Sequence, residues 1–184
     1  EKPTSGNPWV WYAPTLKNYP HGSQTHYFEQ LLEKGIAIAG YDLGEVRGAP
    51  ESSKRFTDFY DAMRAKGFSE KPVLLGQSRG GLMLLCWAFR NPDRVQAFVG
   101  IYPVCNIASW PLRHSKNAVL ADYGRSEEEI LKNLDGFNPS KNLGELAKEK
   151  VPFFLLHGDS DSVVPYGENS ALIKDAYKKA GGDI

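Results

Sequence analysis

The sequence predicts an α/β fold with a mostly parallel sheet that is flanked by helices. Short apolar runs alternate along the chain with amphipathic or apolar helical runs, and such alternation is typical of parallel sheets covered on both faces. No internal repeat or low-complexity linker interrupts the order. We predict strands over 9–14, 36–41, 72–77, 97–102 and 151–156, and helices that end at Lys34 or cover 51–64, 80–90 and 167–180.

Each element has a local signal. The first strand is an aromatic run, and the second follows Gly35, which ends the first helix. In the helix over 51–64, the apolar residues recur on one face, at Phe56, Phe59, Tyr60 and Met63. The third strand and the helix after it are apolar, and that helix stops near Pro92. The last helix is amphipathic and ends at two glycines.

Length and composition indicate one globular domain over 1–184. With 41% hydrophobic and 24% charged residues and no net charge, the chain has no electrostatic signal for nucleic acid. No apolar run approaches the ~18 residues that a membrane span needs, and no signal peptide is present. We therefore expect a soluble protein without a nucleic-acid or membrane partner, and its compartment stays open between cytoplasm, periplasm and secretion.

The most informative motif is Gly-Gln-Ser-Arg-Gly around Ser78. It lies between a predicted strand and a predicted apolar helix, which is the context of a nucleophile elbow. Glycine is needed in this tight turn because a side chain would clash there. Ser78 is therefore the candidate nucleophile. The alternative is a glycine-rich turn with an idle serine.

A second motif follows the predicted strand 151–156. The loop His-Gly-Asp-Ser-Asp-Ser-Val-Val-Pro begins at His157 and resembles the acid loop of α/β-hydrolases, which place their acid after the nucleophile. This resemblance, to serine esterases and prolyl-oligopeptidase-like hydrolases, implies that Asp161 is the triad acid and Asp159 a structural residue. The alternative is a turn rich in Asp and Ser, which such residues favour.

The resemblance also implies a histidine after Asp161, and the chain has none. The four histidines, His21, His26, His114 and His157, all precede it. The family places two antiparallel strands before the first strand seen here and a last strand before the catalytic histidine. We therefore expect the chain to represent the middle of such a domain, with the histidine supplied by a missing C-terminal segment or a partner chain. A relocated base among the four histidines is the alternative.

The resemblance extends to the oxyanion hole and the pocket. One backbone N–H would come from Arg79, and a second from Thr15 or Ala13, of which we favour Thr15 because Pro14 has no N–H. By loop position the pocket-wall candidates are Tyr12, Glu45, Arg47 and Trp110. For each of these, a solvated loop charge or a packing aromatic is the alternative.

The segment 105–150 breaks the alternation and would form a lid. A helix is expected over 126–134, with Ser126 as its N-cap and Glu129 three residues on, and Trp110 and His114 are the lid residues of interest. A passive packing excursion is the alternative.

Cys86 and Cys105 are expected to be buried free thiols. No Cys/His cluster has metal-ligand spacing, so we expect neither a metal nor a cofactor.

A narrower resemblance, to a bacterial group of α/β-hydrolases often encoded beside glycan-degrading enzymes, is carried by several short motifs. These are Pro-Trp-Val-Trp from Pro8, Tyr-Asp-Leu from Tyr41, Ser-Arg-Gly-Gly from Ser78, Ser-Trp-Pro from Ser109 and Val-Val-Pro-Tyr from Val163. It implies hydrolysis of small-molecule carboxylic esters, including esters carried on carbohydrate. The alternatives are a dipeptidyl- or prolyl-oligopeptidase-type serine peptidase and a non-catalytic hydrolase-like binding protein.

Overall fold

A parallel five-stranded sheet organises the computed structural model, which describes residues 6–184. The strand order is β2-β1-β3-β4-β5, and every neighbouring pair is parallel. The strands are β1 Trp9–Ala13, β2 Ala37–Ala39, β3 Val73–Gln77, β4 Ala97–Ile101 and β5 Phe153–Leu156. The helices are α1 Thr25–Glu33, α2 Pro50–Ala65, α3 Arg79–Ala88, α4 Trp110–Tyr123, α5 Glu127–Lys132, α6 Leu134–Phe137, α7 Gly144–Lys148 and α8 Ser170–Lys179.

The predicted fold class and the five predicted strands are confirmed, with differences at some boundaries. Strand β2 has three residues, because the chain leaves the sheet at Gly40. The last helix begins at Ser170, because a 3₁₀ turn occupies Tyr166–Glu168. The carbonyl of Asp183 accepts a hydrogen bond of 2.9 Å from the N–H of Phe153, so the last residues run beside the start of β5.

One face of the sheet forms the main core. Helices α2, α3 and α8 cover it, and Trp11 packs against Trp87 with ring centroids 4.8 Å apart. On the other face, a smaller cluster buries Val10, Tyr12 and Leu75, and Phe28 and Leu31 of α1 pack against it. Beyond α1 this second face is open, and its largest exposed side chains are Phe154 at 65% and Leu156 at 61%.

The segment 105–150 folds into α4 to α7 and packs over α3. Its buried side chains join those of α3 in a second core cluster, which includes Val119 and Ile130. Ser126 and Glu129 form the predicted capping box. Helix α4 was not predicted, because Ser115 leaves the helical conformation in its middle (φ −144°) and breaks the apolar periodicity.

Both cysteines are free and buried, as predicted. Burial raises the pKa of the Cys86 thiol to about 12 and raises that of Cys105 well above its usual value. Such thiols are inert structural groups.

Among residues 6–184, none of the helices combines the length and apolar character needed to cross a bilayer.

Candidate active site

The Ser78 turn has the backbone of a strained elbow. Ser78 connects the end of β3 to the start of α3 with φ 50° and ψ −125°, a conformation that few non-glycine residues adopt. The elbow packs too closely for side chains at its glycines. A Cβ at Gly80 would lie 2.0 Å from the carbonyl oxygen of Ala13, and one at Gly76 would lie 2.7 Å from Cα of Gly81. The glycines of the motif are therefore required by contact with β1 and α3.

Main-chain hydrogen bonds hold the Ser78 backbone while its hydroxyl does not cap the helix. The N–H of Ser78 donates to the carbonyl of Ile101 (2.9 Å), and the Ser78 carbonyl accepts from Gly81 (3.0 Å) and Val104 (2.8 Å). The side chain makes no capping bond to α3. Arg79 is the first helical residue, so its N–H has no intrahelical acceptor. A negative charge beside Ser78 would meet this N–H and the positive end of the helix dipole.

The proposed second oxyanion donor lies on the loop after β1. Thr15 donates its hydroxyl to the carbonyl of Tyr12 (3.2 Å), and its side chain packs against Gly40. Pro14 lines the cavity beside Ser78, whereas Thr15 follows it on the side toward β2. The backbone N–H of Thr15 stays a prediction for this role.

Two predicted pocket residues meet at the side chain of Arg79. Its guanidinium forms an ion pair with Glu45 and lies 5.2 Å from the ring centroid of Trp110, within cation–π range. The first turn of α4 and the loop after β2 therefore both contact the residue that follows the nucleophile. Arg47, on the same loop, pairs with Asp122 of α4 at 2.6 Å, which fixes the segment 105–150 to this loop.

Ser78 and Arg79 open onto a cavity of about 170 Å³. Besides these two, its lining residues are Pro14, Tyr19, His21, Ser23, Gln77 and Tyr102. Tyr102 follows β4, and residues 14–23 follow β1, so the cavity lies at the carboxyl ends of adjacent strands. This is the edge where parallel α/β sheets bind ligands.

A buried hydrogen-bond network forms the floor of the cavity. The side-chain oxygen of Gln77 accepts from the hydroxyl of Tyr12 (3.1 Å), the amide of Gln24 (2.9 Å) and the hydroxyl of Tyr27 (3.4 Å). The Gln77 amide nitrogen donates to the hydroxyl of Tyr102. Burial raises the pKa of Tyr12 and that of Tyr27, the latter to about 12, which keeps both phenols protonated as donors.

Tyr12 therefore lies behind the cavity rather than on its wall. It is 2% exposed, its ring packs edge-on against Phe28, and it reaches the site through Gln77. Sequence reasoning placed Tyr12 by loop position alone, but its side chain points to the α1 face of the sheet.

The acid loop after β5 is held by Asp161. One carboxylate oxygen of Asp161 accepts from the N–H groups of Val163 (2.9 Å) and Val164 (2.8 Å). Asp159 is exposed and accepts only the hydroxyl of Ser160 among the bonds of the described residues 6–184. The expectation that Asp159 is the structural residue of this loop is therefore wrong, because Asp161 is the residue whose side chain accepts the backbone N–H groups of the turn. Its assignment as the triad acid stays a prediction.

His157 is held in place by hydrogen bonds to the acid loop and to α8. Its Nε2 lies 2.7 Å from the carbonyl of Val164, so this nitrogen donates, and its Nδ1 lies 2.7 Å from the hydroxyl of Ser170. The distance from His157 Nε2 to Asp161 Oδ2, 3.6 Å, is too long for a hydrogen bond. With both ring nitrogens occupied and the side chain 1% exposed, His157 is unavailable for proton transfer.

The remaining histidines differ in position. His21 lines the Ser78 cavity, and its Nδ1 accepts from the N–H of Ser23 (3.2 Å). His26 is exposed on α1 and contacts Gln30. His114 lies on α4 and is not among the residues that line the cavity in the described part of the chain.

Sequence reasoning missed the polar residues that surround Ser78. His21 was considered only as one of four alternative bases, and Gln24, Gln77 and Tyr102 were not considered as site residues. A usable signal was available for Tyr102, because it follows β4, the strand beside the elbow strand, at the edge where ligands bind. Within residues 6–184, no group of three or more His, Cys, Asp or Glu side chains is placed to hold a metal ion.

Several solved structures have a similar fold. MPT51 (FbpC1) of Mycobacterium tuberculosis aligns with a TM-score of 0.70 and 16% identity over 96% of this chain and 78% of its own. A puromycin-hydrolyzing peptidase of M. tuberculosis aligns with a TM-score of 0.73 and 16% identity, over 99% of this chain but 29% of its own. A puromycin hydrolase aligns with a TM-score of 0.67 and 20% identity, over 98% and 28%.

The family comparison goes further than the fold. No curated protein matches the chain. The family model described as the prolyl oligopeptidase family matches residues 45–183, more than half of the chain, and this match includes both Ser78 and the acid loop. The α/β-hydrolase resemblance is confirmed, and the chain belongs to the prolyl oligopeptidase family.

Proposed function

We propose that Ser78 is the nucleophile of a serine hydrolase that cleaves carboxylic esters through an acyl-enzyme. The observation that carries the proposal is the strained Ser78 elbow at the start of α3, with the hydroxyl at a cavity and the Arg79 N–H beside it. A family of serine hydrolases and a hydrolase fold agree with this chemistry.

The reaction follows from these groups. Ser78 Oγ attacks the ester carbonyl carbon and passes its proton to a base. The resulting oxyanion is stabilised by the N–H of Arg79 and, in this proposal, that of Thr15; losing one such donor typically costs about 10²–10³ in rate. Collapse expels the alcohol, which takes the proton from the base, and water then releases the acid from Ser78. Asp161 orients and stabilises the protonated base without taking its proton.

The base is proposed to be a histidine from outside this chain, on a further C-terminal segment or a partner chain. His157 has both ring nitrogens occupied. His21 lies in the cavity, but its Nδ1 already accepts a backbone N–H. The neutral ring must therefore carry its proton on Nε2, the nitrogen left for substrate, and a base needs a free lone pair there.

Ester rather than peptide substrates are favoured by the cavity. Its volume of about 170 Å³ suits a small acyl or alcohol group, and no acidic side chain lines it within residues 6–184 to hold a peptide amino terminus. The donor-rich lining suits substrates that present accepting oxygens, such as the carbonyl and ring oxygens of esters carried on carbohydrate. Glu45 and Trp110 would act on substrate through Arg79, which both of them contact.

Peptidase action is the second candidate, because the family model is that of the prolyl oligopeptidases and peptidases are among the similar structures. The two functions separate in one comparison. The chain is first combined with the segment or partner chain that carries the proposed histidine. Turnover of an ester and of an amide with the same acyl group is then measured, and turnover of the ester alone supports the proposal. Turnover of the amide at a similar rate supports the peptidase.

The nucleophile is tested by chemical rescue. The purified chain is treated with a fluorophosphonate with and without imidazole as an external base, and the adduct is mapped by mass spectrometry. We expect imidazole-dependent labelling of Ser78 and none at this position in Ser78→Ala. Labelling elsewhere, or no adduct in either condition, contradicts the proposal and favours a non-catalytic binding protein.

A further inference from the structure

The donors and acceptors around the Ser78 cavity form a chain in which each donor can be identified from the bond before it. The backbone N–H of His21 donates to the side-chain oxygen of Gln24 (2.8 Å), and a backbone N–H can only donate. This bond fixes which end of the Gln24 amide is oxygen. The Gln24 nitrogen must then face its other two partners, Ser23 Oγ (2.8 Å) and Gln77 Oε1 (2.9 Å).

The same direction continues to Tyr102. Because Gln77 Oε1 accepts from Gln24, the other end of the Gln77 amide is its nitrogen, which donates to the Tyr102 hydroxyl oxygen. The hydroxyl proton of Tyr102 therefore points away from Gln77. Tyr102 lines the cavity, so this proton is available to a ligand there.

Two more donors arise in the same way. The N–H of Ser23 donates to Nδ1 of His21 (3.2 Å), which leaves the ring proton on Nε2. The Ser23 hydroxyl oxygen accepts from Gln24, so its own proton is free to point elsewhere. Both side chains line the cavity.

Acceptors are scarce by comparison. The oxygen of Gln77 already receives three hydrogen bonds, and among residues 6–184 no carboxylate lines the cavity. Arg79 adds a guanidinium, whose ion pair with Glu45 lies on the side of the loop after β2.

The lining hydroxyls of Tyr19, Ser78 and Ser23 can both donate and accept, but the Arg79 guanidinium and the free His21 nitrogen can only donate. A ligand group that only accepts hydrogen bonds is therefore matched better here than a group that donates them.

We infer that this cavity is a subsite for a carboxylate, held by Tyr102, Ser23 and His21 next to Ser78. Its occupant is an acidic group of the substrate or the acid that hydrolysis releases. The inference deepens the proposed function. It rests on that function only where it identifies the carboxylate as part of the substrate or as the product. The structure itself supplies the donors whether or not Ser78 is acylated.

The test is equilibrium binding of acetate to the full chain, followed by NMR chemical shifts at constant ionic strength. We expect saturable shifts at Ser23, His21 and Tyr102. Acetamide, which adds donors, should bind at least about fivefold more weakly, since hydrogen bonds to a charged group are the stronger ones. Methylammonium should cause no saturable shift at these residues. Equal binding of methylammonium, or no saturable shift with acetate, overturns the inference.

Variants locate the subsite. Tyr102→Phe, His21→Ala and Ser23→Ala should each weaken acetate binding at least about fivefold. Tyr41→Phe and His26→Ala are matched controls outside the cavity and should bind acetate as the parent does. Ser23 is exposed, so Ser23→Ala keeps the test open if Tyr102→Phe does not fold. Unchanged acetate binding in Ser23→Ala and His21→Ala overturns the inference.

The inference and the proposed function can fail separately. Acetate binding that persists in Ser78→Ala, together with no Ser78 adduct in the parent, supports the subsite and contradicts the nucleophile. A Ser78 adduct without acetate binding does the reverse.

Discussion

The Ser78 elbow and the Asp161 loop follow β3 and β5 at the same edge of the sheet, but they use their polar groups in opposite ways. At the elbow, backbone bonds and close glycine contacts hold the chain, so the Ser78 hydroxyl is left for a ligand. In the acid loop, the side chains of Asp161 and His157 hold the chain themselves. The candidate nucleophile is thus on a backbone that is fixed without its side chain, whereas the candidate acid also holds its own loop.

The largest expected effect concerns the acid loop. In the protein complemented with its base, Asp161→Asn should lower kcat by up to about 10⁴, because the base loses its charge partner and its tautomer control. The asparagine oxygen can still accept from Val163 and Val164, so thermal unfolding should change little. Asp159→Asn is the control, and an equal or larger loss of kcat there would reverse the two roles.

The elbow should be far less tolerant of a methyl group than the acid loop. Gly80→Ala places a Cβ against the Ala13 carbonyl and should lower the free energy of unfolding by about 3 kcal/mol. Gly158→Ala in the acid loop meets nothing within 4 Å and should change it by less than about 0.5 kcal/mol. Urea denaturation measures both, and similar values would remove the contrast.

Alkaline pH should act on the elbow side, where Cys86 of α3 is buried. The pKa of Cys86 in the folded protein is about 12, above the usual 9.0. The contribution of its protonated thiol to the free energy of unfolding is therefore complete below pH 9 and is lost as the pH rises toward 12. The slope for one group is at most about 1.4 kcal/mol per pH unit. Cys86→Ala should reduce this slope in denaturation curves between pH 9 and 11, while Val163→Ala in the acid loop should not. A slope unaffected by Cys86→Ala would contradict the assignment.

The smallest effect is the strain at Ser78. Glycine adopts positive φ without penalty, so Ser78→Gly should be about 1 kcal/mol more stable than Ser78→Ala, which keeps the Cβ and the strain. The comparison cancels the loss of the hydroxyl. Equal stabilities of the two variants would mean that the elbow backbone relaxes.

The sheet and the elbow could be predicted because their signals are local. The apolar strands, the glycines around Ser78 and the box at Ser126 each occupy a few consecutive residues. The polar floor of the cavity could not be predicted in this way. Gln24 and Gln77 are 53 residues apart, and only the packing of α1 beside β3 brings them together.

The roles within the acid loop were also beyond the sequence. Asp159 and Asp161 are two residues apart and chemically identical, and a turn favours both. Which one receives the backbone N–H groups depends on how the chain turns back at Val163 and Val164. The spacing of Asp159 and Asp161 identified the loop, but it did not show which of the two carboxylates accepts the backbone N–H groups.

The direction of the cavity's hydrogen bonds has a consequence for how the site could diverge. That direction originates in the backbone N–H groups of His21 and Ser23, which every residue except proline possesses. Substitutions on the cavity surface that introduce no acidic residue can remove a donor, but they leave the Gln24 and Gln77 amides oriented as before. Descendants of this site should therefore vary in affinity more readily than in the sign of the ligand charge, until a glutamine of the network becomes a glutamate.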